Sequence, residues 1–483
     1  MAATPLYKQF ADQLAASIRD GVLRPGERIA SVRIASQQHK LSVTTVVRAY
    51  ELLESRGIIE SQPQSGYFVR EQAPSGDKPP ARRNARDAHD DHPAYQQSTE
   101  VDVSRLVLAT LKTIQQDGTV PLGSPYPNPA LFPSQRVAQY AGKIMRDASQ
   151  SSVFDDLPPG HPDLLRQIAR RYLENGLKVD PEEIVVTVGA TEAINLCLQA
   201  VARPGDTIAV ETPTFYAMLH AIERLGMRAL EIPTDPQRGI DVGALEALMQ
   251  TQPVAACMVM PNFQNPLGFQ MPDSEKEKLV RLAERHRMPL IENAVYSELY
   301  YGNAHPSSLK NYDREGLVLH CSSFSKSLTS AYRIGWAMPG RYRAQVEKLK
   351  FLNTLTTPTA PQRAIAEYLT QGGYERHLRR VRRTFAQQRD LMRHFVLRFF
   401  PEGTQVSKPE GGYVLWVELP GKVDAMELYR RCLALGITVA PGRIFAATNR
   451  YGHFIRLNYS YPWSRETEQA LKLVGKLVQE LSA

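Results

Sequence analysis

The sequence predicts an α/β protein built from two unlike parts. Residues 1–72 show three short helical patterns and then a hairpin pattern, which together are typical of a winged helix-turn-helix. From residue 104 to residue 483, short apolar runs alternate with helical patterns, which is typical of a mostly parallel sheet covered by helices. Residues 73–103 carry no apolar run and are predicted to be a flexible linker.

The elements of the first part are predicted from its apolar spacing. Apolar residues recur every fourth position from Leu6 to Ile18, as in an amphipathic helix, and Ser42 is a suitable N-cap for a later one. A strand pattern on either side of Gly66 predicts a hairpin, the wing. The predicted helices cover residues 6–20, 31–40 and 43–55.

The third predicted helix carries groups that suit contact with DNA. Thr44, Thr45 and Arg48 fall away from its apolar face, where they can reach phosphates and base edges. With this helix in a major groove, the pattern indicates a DNA-binding unit. A small helical interaction domain that binds no nucleic acid has the same geometry, so the helix spacing alone leaves both readings open.

Composition limits the classes of protein to which the chain can belong. The chain has 483 residues, of which 43% are hydrophobic and 22% charged, and no apolar run approaches the roughly 20 residues of a membrane span. Charged residues within the first apolar stretch exclude a signal peptide. Four separated cysteines without Cys/His spacing argue against a zinc site and a disulfide framework, and for a cytoplasmic location. The net charge of +8 permits nucleic-acid binding without requiring it.

Six apolar runs in the second part are predicted to be strands of one sheet. Helical patterns lie between most of them, and ligands of such sheets bind beyond the carboxyl ends of the strands. After about residue 345 a long helical stretch leads into a smaller α/β unit, so we expect subdomains over about 104–345 and 346–483. The predicted strands cover residues 183–188, 207–211, 256–261, 289–292, 317–321 and 335–338.

One lysine follows the fifth of these strands and is surrounded by small hydroxyl residues. Lys326 comes just after a buried strand, where desolvation can lower the pKa of its amine and make it nucleophilic. Ser323, Ser325 and Arg333 are residue types that hold a phosphate dianion. A reactive lysine and a phosphate cup are what pyridoxal phosphate (PLP) requires, because the lysine bonds its aldehyde and the cup holds its opposite end. A surface loop with a solvated lysine is the alternative.

Other strand ends supply groups that suit the same cofactor. The turn from Gly189 to Thr191 opens a helix, where free N–H groups and the helix dipole attract an anion. Phe215 offers an aromatic face for a flat ring. Asn265 and Tyr296 are suitable donors to the ring's 3' oxygen. Each of these residues could equally be structural.

Two stretches, LYKQFADQLAASIRDGVLRPGERIASVR and LSVTTVVRAYELLESRGIIESQPQSGYFV, closely resemble the DNA-binding domain of the GntR family over residues 5–70. Family members usually have Leu-Pro where this chain has Ile29 and Ala30, so we expect the second helix to fray slightly at its start. The resemblance implies that the unit binds a double-stranded DNA operator. The residues that it assigns to DNA binding are Arg33, Ser42, Thr44, Thr45, Arg48 and Gly66.

The motifs from about residue 119 to residue 480 resemble, in order and spacing, the PLP-dependent fold-type I aminotransferases. The resemblance implies that Lys326 is the catalytic residue, which forms the Schiff base, and that Arg456 binds the α-carboxylate of an amino compound. A winged helix-turn-helix fused to this domain is the layout of the MocR subgroup of GntR-type regulators, and the whole chain resembles it. No metal-binding residue is predicted. The implied cofactor-binding residues are Gly189, Ala190, Thr191, Phe215, Asn265, Asn293, Tyr296, Ser323, Ser325, Lys326 and Arg333.

The chain departs from the aminotransferase pattern beside the cofactor ring. Asn293 stands where family members carry an aspartate that pairs with the protonated pyridine nitrogen. A neutral amide forms a bond of roughly half the strength, so the ring is a poorer electron sink. We therefore expect the site to capture amines but to have weak or no transaminase activity, unless Glu292 supplies the missing charge. Ser330 and Ala331 replace the usual Pro-Gly, which we expect to shift the phosphate loop modestly.

Three functions fit these observations. The first is a homodimeric transcriptional regulator whose effector is PLP, or an amino compound that forms an aldimine at Lys326. The second is an active aminotransferase that carries a DNA-binding domain, which Lys326 and Arg456 favour and Asn293 disfavours. The third is a DNA-binding protein whose second domain is only a dimerisation scaffold, and the groups retained around Lys326 argue against it.

Overall fold

The computed structural model describes residues 5–19, 26–27, 29–62, 66–69, 97–114, 118–147 and 157–482. The chain divides into two compact units between residues 91 and 92, and each is described by itself. The helices and strands described in the first unit occur in the predicted order. They are α1 (Leu6–Arg19), α2 (Val32–His39), α3 (Val43–Ser55), β1 (Ile59–Gln62) and β2 (Gly66–Val69).

Side-chain caps determine where the helices of the first unit begin. The Ser42 hydroxyl accepts a hydrogen bond from the Thr45 N–H at 3.1 Å and so caps α3. Ser31 caps α2 by accepting from the Ile34 N–H at 3.5 Å. The Tyr50 hydroxyl donates to the carbonyl oxygen of Ala30 at 2.8 Å. The start of α2 is therefore held by a cap and a tyrosine, although no proline immediately precedes it.

The second unit contains a long series of alternating strands and helices. The first half comprises β3 (Thr99–Glu100), α4 (Ser104–Ile114), α5 (Ser134–Asp147), α6 (Pro162–Glu174), β4 (Val185–Val188), α7 (Gly189–Val201), β5 (Thr207–Thr212), α8 (Tyr216–Arg224), β6 (Arg228–Asp235), β7 (Gly239–Ile240), α9 (Val242–Met249) and β8 (Ala256–Val259). The second half comprises α10 (Asp273–His286), β9 (Leu290–Asn293), β10 (Val318–Ser323), β11 (Ile334–Met338), α11 (Arg343–Thr354), α12 (Thr359–Thr370), α13 (Tyr374–Phe399), β12 (Gln405–Val406), β13 (Val414–Glu418), α14 (Ala425–Ala434), β14 (Ala440–Pro441), β15 (Phe454–Asn458) and α15 (Arg465–Ser482).

The large sheet has the strand order β3-β6-β5-β8-β9-β10-β11-β4, and β7 pairs with β6 beside it. Strands β6, β5, β8, β9 and β10 are parallel, whereas β11 runs antiparallel to both β10 and β4. The mostly parallel sheet is thus confirmed. Because β4, β5, β8, β9 and β10 all run in one direction, the residues that follow them meet at one edge of the sheet.

Two parts of the sheet differ from the prediction. Strand β6 (Arg228–Asp235) was missed, because Arg228, Glu231 and Pro233 interrupt its apolar residues. The predicted linker also ends too late, because Thr99–Glu100 pairs with β6, and Val101 and Val103 are buried. These residues have too few apolar neighbours to form a recognisable strand pattern in the sequence. Their structure depends on pairing with β6, which is distant in the sequence.

A second, antiparallel sheet of order β12-β13-β15-β14 forms the core of the C-terminal part, packed against α13 and α15. Helix α13 has 26 residues and borders this sheet along much of its length. Strand β15 carries Arg456, whose side chain is completely buried. Within the part of the chain that the structure describes, no helix is both long and apolar enough to span a membrane.

Candidate functional site

Lys326 lies in a turn just beyond β10, at the edge of the sheet where the parallel strands end. Its Nζ donates a hydrogen bond to the carbonyl oxygen of Pro125 at 2.9 Å and stands 4.1 Å from the centre of the Tyr126 ring. The side chain is buried, so it is not the solvated surface lysine that was the alternative reading.

The electrostatics of the site favour a neutral Lys326 amine. Burial, followed by the positive charges of Arg456 and Arg333, lowers the pKa of Lys326 to about 7. Burial disfavours the ammonium form because the charge loses its hydration, and the two guanidinium groups repel it. A substantial fraction of the amine is therefore unprotonated and nucleophilic near neutral pH.

The predicted phosphate cup is assembled at the start of α7. Gly189 opens this helix with a φ of 73°, and a Cβ there would lie 2.5 Å from Arg333 Nη2, so only glycine fits. Arg333 Nη1 donates to the Ser325 hydroxyl at 3.0 Å, and the Ser325 N–H donates to the Ser323 hydroxyl at 3.4 Å. No side chain caps α7, so its first N–H groups, those of Ala190 and Thr191 among them, remain open to an anion.

The amide and phenol predicted for the other end of the ring lie together. Asn265 Nδ2 donates to the Tyr296 hydroxyl at 3.4 Å, and both side chains are buried. Burial raises the pKa of Tyr296, so its hydroxyl keeps its proton and can donate a hydrogen bond. Phe215 stands immediately before α8. Its ring centre lies 4.4 Å from that of Tyr216, a residue that is not among the predicted cofactor-binding residues.

Asn293 and Glu292 project to opposite faces at the end of β9, as neighbours in a strand must. Glu292 accepts hydrogen bonds from the Ser308 hydroxyl at 2.5 Å and from the Leu309 N–H at 3.2 Å, and it pairs with His320 Nδ1 at 2.8 Å. Although burial raises the pKa of Glu292, these partners hold it below its ordinary value. Glu292 is thus bound away from Asn293, and the Asn293 side chain is neutral.

Arg456 is buried without an acidic partner among the described residues. Its Nη2 donates to the carbonyl oxygen of Gly123 at 2.7 Å, and its Nη1 lies 3.4 Å from Asn265 Oδ1. Its buried Nε has no hydrogen-bond partner. A buried guanidinium with an open N–H fits an incoming carboxylate, which supplies both charge and acceptors.

The structure adds positioning contacts that sequence reasoning missed. The Tyr374 hydroxyl donates to the Ser327 hydroxyl at 2.6 Å, and His377 Nε2 donates to the Ser327 carbonyl oxygen at 2.8 Å. The Tyr413 hydroxyl donates a hydrogen bond to the carbonyl oxygen of Pro125 at 2.8 Å, and this is the same acceptor that Lys326 uses. These partners lie about 50 or more positions from the residues that they hold, and no local motif signals them.

The predicted DNA-contacting residues lie on the first unit. Arg33, Thr44 and Arg48 are exposed at α2 and along α3. The Ser42 and Thr45 hydroxyls lie 2.7 Å apart, in the cap of α3. Gly66 begins β2 with a φ of 104°, a conformation that favours glycine, and the wing tip at residues 63–65 lies outside the described residues.

Comparisons with known families match both units. Residues 6–69 match the family described as bacterial regulatory proteins, gntR family, and residues 126–473 match aminotransferase class I and II. The chain is 41% identical to an uncharacterized HTH-type transcriptional regulator, YdcR of Escherichia coli, over 98% of this chain and 99% of that protein. It is 35% identical to a second such regulator of that organism, YjiR, over 98% of each chain.

Solved aminotransferases share the fold of the second unit. Kynurenine aminotransferase from Pyrococcus horikoshii superposes with a TM-score of 0.71 and 28% identity, covering 79% of this chain and 95% of that chain. LysN, an alpha-aminoadipate aminotransferase from Thermus thermophilus complexed with N-(5'-phosphopyridoxyl)-L-leucine, gives a TM-score of 0.69 and 27% identity over 78% of this chain and 98% of that chain. PLP is therefore the cofactor of this domain. The close approach of Gly189 to Arg333 at the start of α7 fits its phosphate group.

The low pKa of Lys326 predicts how capture of the cofactor depends on pH. Only the neutral amine reacts with an aldehyde, so the capture rate should rise about tenfold per pH unit below the amine's pKa. The rise should level off above a pH of about 7. Stopped-flow absorbance of cofactor-free protein mixed with PLP measures the rate. Free Nα-acetyl-lysine is the control, whose rate should keep rising toward pH 10 or so. A protein rate that also rises throughout this range would contradict the prediction.

Proposed function

The chain belongs to the MocR type of GntR-family transcriptional regulators, and we propose that it controls transcription in response to PLP or to an amino compound that reacts with bound PLP at Lys326. The family combines a helix-turn-helix regulator with an aminotransferase domain. The observation that carries the proposal is the buried amine of Lys326, whose lowered pKa of about 7 leaves much of it unprotonated. The neutral Asn293 at the end of β9, where we expect the pyridine nitrogen, supports it. This combination favours capture of an amine over its chemical conversion.

When bound, PLP supplies an aldehyde that condenses with primary amines and a pyridine ring that withdraws electrons. The residues of the chain would bind and orient it. Arg333, Ser325 and the N-terminus of α7 would hold the phosphate, while Asn265 and Tyr296 would donate to the 3' oxygen. Arg456 would bind the carboxylate of an amino acid effector, and Lys326 would supply an amine that is largely unprotonated above a pH of about 7.

An effector acts on transcription by shifting a population. A ligand that binds one conformation of the regulator better than another can change the DNA affinity by at most the ratio of its own affinities for the two, provided that DNA also favours one of them.

Aminotransferase folds pair across their active sites, so we propose a homodimer that reads two half-sites about 10 base pairs apart or a multiple of that spacing. A regulator of bacterial genes acts in the cytoplasm, where the DNA is.

Transaminase activity is the second candidate function. Arg456 supports it, because an open buried guanidinium selects a carboxylate-bearing substrate. Asn293 opposes it, because an amide holds a protonated pyridine nitrogen less strongly than a carboxylate does. A role as a mere scaffold fits less well, because dimerisation requires no lysine with a lowered pKa.

Replacing Lys326 tests the regulatory proposal. In the Lys326→Ala variant we expect the visible band of bound PLP to disappear and the effect of PLP and amino acids on DNA binding to be lost. DNA binding without ligand should remain, because the variant changes only the second unit. Absorption spectra and electrophoretic mobility shifts of the full-length protein measure both.

Lys348→Ala, at an exposed lysine of the same unit, is the matched control and should behave as the wild type. A Lys326→Ala protein whose DNA binding still responds to the ligands would contradict the proposal.

Replacing the exposed arginines tests the DNA-contacting surface. Arg33→Ala and Arg48→Ala should each weaken operator binding and reduce the slope of log affinity against log salt by about one, because each removes one phosphate contact. The absorption of bound PLP should not change. The control is Arg56→Ala, since Arg56 lies beyond the C-terminal end of α3 and pairs with Asp12 at 2.7 Å. Equal losses in all three variants would argue against the assignment.

Restoring a carboxylate beside the ring should increase turnover. In the Asn293→Asp variant we expect oxo acid formation from amino acids to accelerate about tenfold or more, because a charged acceptor stabilises the protonated ring nitrogen. Asn293→Ala, which stays neutral, should be no faster than the wild type. Assays with a panel of amino acids measure the rates. If the wild type already turns over at about 1 s⁻¹ or faster, the transaminase function is favoured instead.

A further inference from the structure

Three β-branched apolar side chains of the helix-turn-helix lie outside its hydrophobic core. Ile34 and Val43 are 49% and 52% exposed, and Val47 is half-buried. The core of the same unit includes Val46, Tyr50 and Leu53 of α3, but none of the three. Core packing therefore does not explain them. Single exposed apolar side chains are common on protein surfaces, so the position and surroundings of these residues decide what they can contact.

Two of these residues form one strip on α3. Val43 is the first residue of the helix and Val47 follows one turn later, so the two side chains lie on the same face. We call Val43 and Val47 the valine strip. The exposed Thr44 and Arg48 stand next to it, while the Ser42 and Thr45 hydroxyls are occupied in the helix cap.

The charge around the strip indicates what covers it. From Arg28 to Tyr50 the sequence contains four Lys or Arg residues and no Asp or Glu. The next residue, Glu51, is exposed one turn beyond Val47, so the acidic charge lies at the end of the strip away from the helix N-terminus. An acid-free basic segment complements a polyanion and disfavours an ordinary protein surface, which carries both signs. In a helix-turn-helix, the N-terminal residues of the second helix reach base edges in the major groove. The valine strip occupies those positions.

The major groove offers a valine one favourable contact. A valine side chain has no hydrogen-bond donor or acceptor, so it cannot pair with the polar edge atoms of guanine, adenine or cytosine. The C5-methyl group of thymine is the apolar feature of that groove. We propose that Val43 and Val47 recognise thymine methyl groups and so select A·T pairs within each operator half-site. This inference rests on the proposed function, since it requires that the unit bind DNA.

Removing the methyl groups from the DNA tests the inference. Full-length protein with PLP is first used to select bound sequences from a random duplex pool. Each thymine of the selected half-site is then replaced by uracil, which lacks only the methyl group. We expect affinity to fall about fourfold for each contacted methyl, because burying one such group contributes about that factor. Fluorescence anisotropy titrations measure the change.

Variants of the valine strip test whether Val43 and Val47 cause the loss of affinity on uracil probes. Val43→Ala and Val47→Ala should each weaken binding to thymine probes and should each abolish the penalty for one uracil position. The salt dependence of binding should not change, because no charge is removed. Leu6→Ala is the control, since Leu6 is 61% exposed on α1 and lies outside the helix-turn-helix. It should retain both the affinity and the uracil penalty.

The outcomes separate this inference from the proposal on which it rests. If thymine and uracil probes bind alike, or if the valine variants keep every uracil penalty, the valine strip does not read thymine and the inference fails while DNA regulation stands. A strip that contacts another protein would give that result. If the full-length protein enriches no sequence, both fail. Thermal unfolding of the variants, expected to match the wild type, excludes misfolding as the cause.

Discussion

The constraint on which the second unit depends is a buried amine surrounded by positive charge. Lys326 shares its surroundings with Arg333 and Arg456, and none of the three forms an ion pair with a carboxylate within the part of the chain that the structure describes. Such a cluster is tolerable only when the amine is neutral and its N–H groups have acceptors, which the Pro125 carbonyl oxygen partly provides. The same arrangement attracts anions. A phosphate at one guanidinium and a carboxylate at the other would compensate the charge, so ligand binding relieves the repulsion that folding creates.

The alternation of side chains along β9 explains why Glu292 does not share the surroundings of Asn293. Glu292 and Asn293 are adjacent, yet one faces the His320 and Ser308 network and the other faces the opposite side. A one-residue shift of register would be needed to exchange them, and that shift would also move every apolar residue of the strand. The acidic group is thus available in the sequence but excluded by geometry.

Local sequence signals predicted the parts of the fold that repeat a local pattern. The three helices of the first unit, the parallel strands other than β6 and the position of Lys326 after one of them follow from spacing within about 15 residues. Contacts between segments that lie far apart in the sequence could not be predicted from such local spacing. The acceptor at Pro125, the Ser327 contacts of Tyr374 and His377, and the pairing of Thr99–Glu100 with β6 depend on how the chain returns to itself. The valine strip was missed because valine at helical spacing ordinarily indicates core, and only exposure in three dimensions separates Val43 and Val47 from Val46.

The attachment of Ser327 to α13 has a mechanical consequence. Tyr374 and His377 stand in the first turn of a helix of 26 residues, which is about 39 Å long. The first turn of the helix holds Ser327, the residue that follows the reactive amine. Further along the same helix, Val381, Phe385 and Val396 are buried in the core around the antiparallel sheet. A single continuous element thus connects the position of the amine to the packing of the C-terminal core.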